Sequence, residues 1–169
     1  MQMTNRSTLF LFFWFYLGWF GCVYFAKWNL SVWSYIFPLI PGIVIFKLKL
    51  FSNQKTIFLF FLSLFGILFD CITYDLGLID FPNYSSFFIP HWLISIWFLF
   101  ACVFPISQNL LKEKIWLSAA LGAIFGPLSY FSGQTLHVLT IKGQFALPTY
   151  AVFWGLLLPI AITRYKRLK

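Results

Sequence analysis

Apolar residues run along this chain in six long blocks separated by short polar or basic segments. The blocks cover roughly Thr8–Ala26, Ser31–Phe46, Thr56–Ile79, Phe87–Ile106, Ile115–Gln134 and Phe145–Thr163. None alternates apolar and polar positions as a membrane barrel strand would. Only a helix satisfies its own backbone hydrogen bonds in lipid with such patterns. A span needs about 20 residues. The second block is short and the third long, so tilt or a broken helix is expected there. The pattern predicts an all-α polytopic membrane protein, a bundle of six transmembrane helices forming a single domain over residues 1–169.

The polar breaks set the direction. With the N-terminus inside, Arg6, Lys47, Lys49, Lys55, Lys112, Lys114, Arg164, Lys166, Arg167 and Lys169 all fall on the cytoplasmic side. Lys27 and Lys142 alone fall outside. The bias places both termini in the cytoplasm and leads to an expected multi-pass location in the bacterial inner membrane. Arg6 followed by Leu9–Phe20 imitates a signal peptide, but no small-residue cleavage site follows. The block reads as an uncleaved first span.

Composition sharpens this picture. Hydrophobic residues make up 61% of the chain and charged residues 9%, which excludes an ordinary soluble domain. The net charge of +8 does not argue for nucleic acid, because the basic residues lie in short loops between spans. Aromatic richness suits lipid-facing and interfacial positions and implies no cofactor. Cys22, Cys71 and Cys102 fall inside predicted spans without a CxxC spacing, and read as buried thiols. A Cys22–Cys71 pairing stays conceivable, since both lie toward one membrane face.

Asp70 is the chemical focus. It lies in the third block, where a carboxylate costs about 2.5–3.5 kcal/mol on insertion scales and needs partners. Ser63, Gly66, Asp70, Tyr74 and Gly77 share one helical face by their three- and four-residue steps. Asp75 lies about 140° round that helix and makes no carboxylate pair with Asp70. The fifth block carries a second stripe: Ser118, Gly122, Gly126, Tyr130, Gly133 and His137. Gly122 and Gly126 form a close-packing signature, and Pro127 is expected to kink the helix. Ser129, Tyr130, Ser132 and Gln134 make a polar patch beyond it. Pro38, Pro41 and Gly42 are expected to break the second helix near mid-membrane. Two such interrupted segments would suit an inverted repeat, although the halves share no convincing identity.

His91 follows Pro90 at the start of the fourth span, and His137 ends the fifth. No metal-ligand spacing joins them, so no metal is expected. Ser129, Ser132, His91, His137 and Asp70 could in principle converge on a nucleophilic site, but the sequence alone does not bring them together and no nucleophile-elbow glycine pattern surrounds either serine.

The order of several marks resembles an uncharacterised bacterial membrane family, domain of unknown function 2878. Those marks are Asp70 with Gly77; Pro90, Trp92 and Trp97; the run Gly122-Ala123-Ile124-Phe125-Gly126-Pro127-Leu128-Ser129-Tyr130-Phe131-Ser132-Gly133; and Trp154. The Gly-Pro-Leu-Ser-Tyr-Phe-Ser-Gly portion is the most specific. Where the family reads Leu-Gly after it, this chain has Leu136-His137. The resemblance implies a small multi-span inner-membrane protein with no established activity. It also implies genes near lipid-modifying enzymes, a hint toward lipids.

The leading expectation is an accessory protein that binds a membrane lipid or small amphipathic ligand in an outward-facing polar pocket. Asp70, Tyr74, His91, Ser129, Tyr130 and Gln134 would line it. Gly66, Gly122, Gly126, Pro127 and Gly133 would pack the helices. A substrate-capture subunit of a transporter, with an unidentified membrane-protein partner, is the alternative. A third reading is a membrane enzyme acting on lipid, with Asp70 or His91 as general base.

Overall fold

The computed structural model describes residues 5–82, 84 and 86–168; Lys169, counted above for orientation, lies outside them. The chain is mostly helical. Helix α1 runs over Asn5–Lys27, α2 over Ile36–Lys47, α3 over Asn53–Asp75, α4 over His91–Leu111, α5 over Ile115–Thr135 and α6 over Ala146–Lys166. A 3₁₀ turn, Ser31–Tyr35, leads into α2. Among the described residues, five helices are long and apolar enough to cross a membrane, and Ser31–Lys47 forms a shorter apolar sixth piece. Two short strands, β1 (Ile79–Asp80) and β2 (Thr140–Ile141), pair antiparallel, Ile79 opposite Ile141.

The chain divides into two compact units. One holds α1, α2, α3 up to Ile67 and α4 up to Ser107; the other runs over Leu68–Ile89 and Gln108–Arg167.

In unit 1 the second helix is continuous, against the expected break. Pro38 falls in its first turn, where N–H groups lack helical partners in any case. Pro41 lies inside it and cannot donate to the carbonyl of Phe37, four residues back. The Trp14 indole of α1 donates to that carbonyl instead, at 2.7 Å. Neighbouring side chains commonly re-satisfy such groups in membrane helices. Pro38 likewise leaves the Ser34 carbonyl, which has the Cys22 sulfur 3.9 Å away. All three cysteines are free thiols, so the conceivable Cys22–Cys71 bridge is not formed. Gly66 of α3 lies against the Trp97 ring of α4, which a Cβ would overlap. Ser63, one turn earlier, donates to the Trp97 carbonyl at 3.3 Å.

In unit 2, α5 and α6 form a close hairpin. The stripe Ser118, Gly122, Gly126, Tyr130 and Gly133 is the buried face of α5. A Cβ on Gly122 would strike the Trp154 backbone carbonyl, and one on Gly126 the Trp154 ring. From the other side, Gly155 lies against Ala123, so that a Cβ on Gly155 would sit 3.3 Å from the Ala123 Cβ. The small residues thus let the two backbones approach, as in other membrane helix pairs. Gly133 differs from expectation: it makes room for Leu139 of the following loop, not for a neighbouring helix. Helix α5 passes through Pro127 without interruption.

Four helices stop in the same way. After α3, Gly77 adopts φ +68°, its N–H bonds the Tyr74 carbonyl and that of Leu78 bonds Thr73. These are the paired bonds of a Schellman cap, and they end α3 at Asp75, four residues before the predicted end. Asn29, Lys49 and His137 take the corresponding left-handed position after α1, α2 and α5, with φ of 56°, 46° and 61°. Their caps carry the same bond pairs, such as Leu50 to Ile45 and Val138 to Gly133.

Candidate functional site

Two features of the molecule bear on function, one in each unit. The first surrounds Asp70. Its side chain is fully buried, as are Thr73 and Tyr150, and Tyr130 is 4% exposed. The Tyr130 hydroxyl donates to Asp70 Oδ1 at 2.6 Å. The Tyr130 ring stacks on Tyr150, centroids 3.7 Å apart. The Tyr150 and Thr73 hydroxyls lie 2.8 Å apart, and Thr73 Oγ1 donates to the Asp70 carbonyl at 3.0 Å. Phe69 stacks flat on Phe153 beside them, centroids 3.5 Å apart. The Asp70 carboxylate thereby ties α3 to α5 and the Thr73 hydroxyl ties α3 to α6, and the bond from Tyr130 spares the carboxylate an unpartnered position in an apolar setting.

The second feature is a groove in unit 1 of about 1240 Å³, walled by α2, α3 and α4. Leu39, Phe46, Ile57, Phe60 and Phe98 give it an apolar lining. Lys47, Lys49 and Asn53 lie where α2 hands over to α3. Gly42 stands in its wall, and a Cβ there would meet no atom within 4 Å. The chain therefore leaves open space along α2, where a side chain would otherwise project.

A family model described as "Protein of unknown function (DUF2878)" matches residues 8–160. The chain belongs to this family. No curated protein and no solved structure matches it. The glycine-proline run that carried the resemblance to DUF2878 supplies Gly122 and Gly126 to the α5–α6 contact and Tyr130 to the Asp70 cluster.

The expected site residues separate. Asp70 and Tyr130 meet. Tyr74 is half-buried, its ring 5.2 Å from that of Phe81. Ser129 is exposed and donates to the Gly126 carbonyl of its own helix at 2.7 Å. That back-bonding satisfies a hydroxyl in an apolar helix, so Ser129 is no part of a wall around Asp70. Gln134 Oε1 accepts the N–H of Ile141 at 2.8 Å and braces β2. His91 belongs to unit 1, exposed, with Nδ1 2.9 Å from the Tyr35 hydroxyl. The cluster at Asp70 is closed, not a recess open to solvent.

Thr73 and Tyr150 escaped the sequence reading. Tyr150 stands four residues before Trp154, one helical turn away, which could have flagged it. Outside the helices, Asp80 of β1 pairs with Lys142 at 2.5 Å. The Lys142 hydrogen bond, followed by the Phe81 N–H, holds the Asp80 carboxyl below the usual carboxylate range.

Proposed function

We propose that the chain is a multi-pass protein of the bacterial inner membrane that holds a membrane lipid in the groove of unit 1, as a binding or accessory protein. Ser31–Lys47 counts as the sixth crossing segment in this reading, and both termini are cytoplasmic. The basic residues support that orientation, with ten on one side and two on the other in the six-span topology.

The observation that carries the proposal is the groove itself. Small-molecule pockets measure about 300–1,000 Å³, and this one, at about 1240 Å³, is larger and lined by rings and branched chains. Acyl chains have the shape and polarity to fill it. Gly42 keeps it open. Asp70 and Tyr130 then act as a structural clamp in unit 2, a role that needs no ligand.

Gly42→Leu tests the reading. It projects a side chain into the groove and replaces glycine by a better helix former, so the fold gains stability. Phospholipid that survives detergent washing of the purified wild-type protein is expected to be lost from the variant. Equal lipid on both proteins would refute the reading.

A further inference from the structure

We propose that the groove selects an anionic membrane lipid, whose phosphate is held by Lys47 and Lys49. This rests on the lipid reading above and adds the headgroup to it. Both lysines line the groove at one end and are exposed. Among the described residues neither forms an ion pair. The acids of the chain are engaged or distant in sequence: Asp80 pairs with Lys142, Glu113 with Lys166, and Asp70 accepts Tyr130. Asp75 is exposed at the C-terminal end of α3, whereas the groove meets α3 between Asn53 and Ser63. No described acid pairs with the cationic end, which stands beside a space with apolar walls. That is charge complementarity for an amphiphile with a negative head.

The backbone sets where the two lysines stand. Lys47 is the last residue of α2, where the helix dipole favours a cation anyway. Lys49 has no such excuse. It occupies the left-handed cap position at φ 46°, where glycine is the favoured residue and a side chain strains the backbone. Gly77 fills the equivalent position after α3. Asn29 and His137 fill it after α1 and α5, and Lys49 differs from both in lining the groove. Asn53 adds an amide at the same end. A lysine is a compact point charge suited to phosphate.

The topology puts these residues at the cytoplasmic surface, so the lipid enters from that leaflet. A basic residue near such a surface changes anionic-lipid binding about fivefold.

The test uses the full-length protein in detergent micelles, titrated with phosphatidylglycerol and phosphatidylcholine of identical chains and read by native mass spectrometry. Wild type is expected to retain phosphatidylglycerol preferentially. Lys47→Gln and Lys49→Gly should each reduce that retention about fivefold and reduce retention of phosphatidylcholine, whose choline cation offsets its phosphate, by less. Lys49→Gly should melt no lower than wild type, because glycine relieves the strain; its loss of binding then cannot be assigned to unfolding. A wild type without lipid preference, or variants that keep it, would overturn headgroup selection. Displacement of phosphatidylglycerol by an equal concentration of inorganic phosphate would also overturn it, as the mark of a free-anion site. Gly42→Leu serves the parent reading separately: it should lower retention of both lipids, and no change in either would mean that the groove is not occupied.

Discussion

The indole of Trp14 in α1 donates to the carbonyl of Phe37 in α2, the group that Pro41 leaves without a helical donor. This contact lets a proline-containing helix remain continuous along the groove. Trp14→Phe should lower the unfolding free energy by about 1–3 kcal/mol, the cost of an unsatisfied buried polar group. Pro41→Ala restores an N–H to Phe37 and should recover most of that loss in the double variant. Additive losses in thermal unfolding of the four proteins would rule the compensation out.

The Tyr130–Asp70 clamp makes a similar claim in unit 2. Tyr130→Phe removes the donor and keeps the ring stacked on Tyr150, so the loss isolates the hydrogen bond. It should destabilise the protein by about 1–3 kcal/mol. Asp70→Asn retains an oxygen acceptor and should cost less than Tyr130→Phe. If Tyr130→Phe melts like wild type, the clamp is not structural.

His137 holds a left-handed cap position with φ 61°. His137→Gly should raise the unfolding free energy by about 1 kcal/mol. Gly77→Ala, at φ +68°, should lower it comparably. A melting temperature for His137→Gly below wild type would contradict this reading of the cap.

The β1–β2 pair should respond to acid. Asp80 has a depressed pKa in the folded chain, so its contribution is present above the usual carboxylate value of 3.8. That contribution is lost as the pH falls through the lower folded value. The pair is partly exposed and its effect is local. Amide exchange at Lys142, whose N–H bonds the Leu78 carbonyl, should accelerate below about pH 4 beyond its intrinsic trend. Asp80→Asn should lack that acid step. An identical pH profile in both proteins would remove Asp80 as its cause.

Much of the helical framework was legible because lipid imposes it. Asp70 stood out since a carboxylate in an apolar block demands partners, and the α5 stripe since small residues recur at helical spacing. The partners themselves were not legible. Whether Tyr74, Ser129 or Tyr150 meets Asp70 depends on how each helix is rotated, and Ser129 simply bonds its own backbone. The end of α3 shifted because Gly77 caps it, a local effect that outweighs the apolar run beyond. Pro41 failed to break α2 because its missing bond is compensated from α1, far away in sequence. The groove was least visible of all: empty space has no residues, and Gly42 signals it only once its surroundings are known.

The central claim is that a lipid chain occupies the unit 1 groove. A phospholipid carrying a photoreactive group on its acyl chain, activated in membranes containing the protein, tests it most directly. Peptide mapping should show label concentrated on Leu39, Phe46 and Phe60, and lost in Gly42→Leu. Label spread evenly over outward rings such as Phe13, Phe65 and Phe125, and unchanged by Gly42→Leu, would contradict the account.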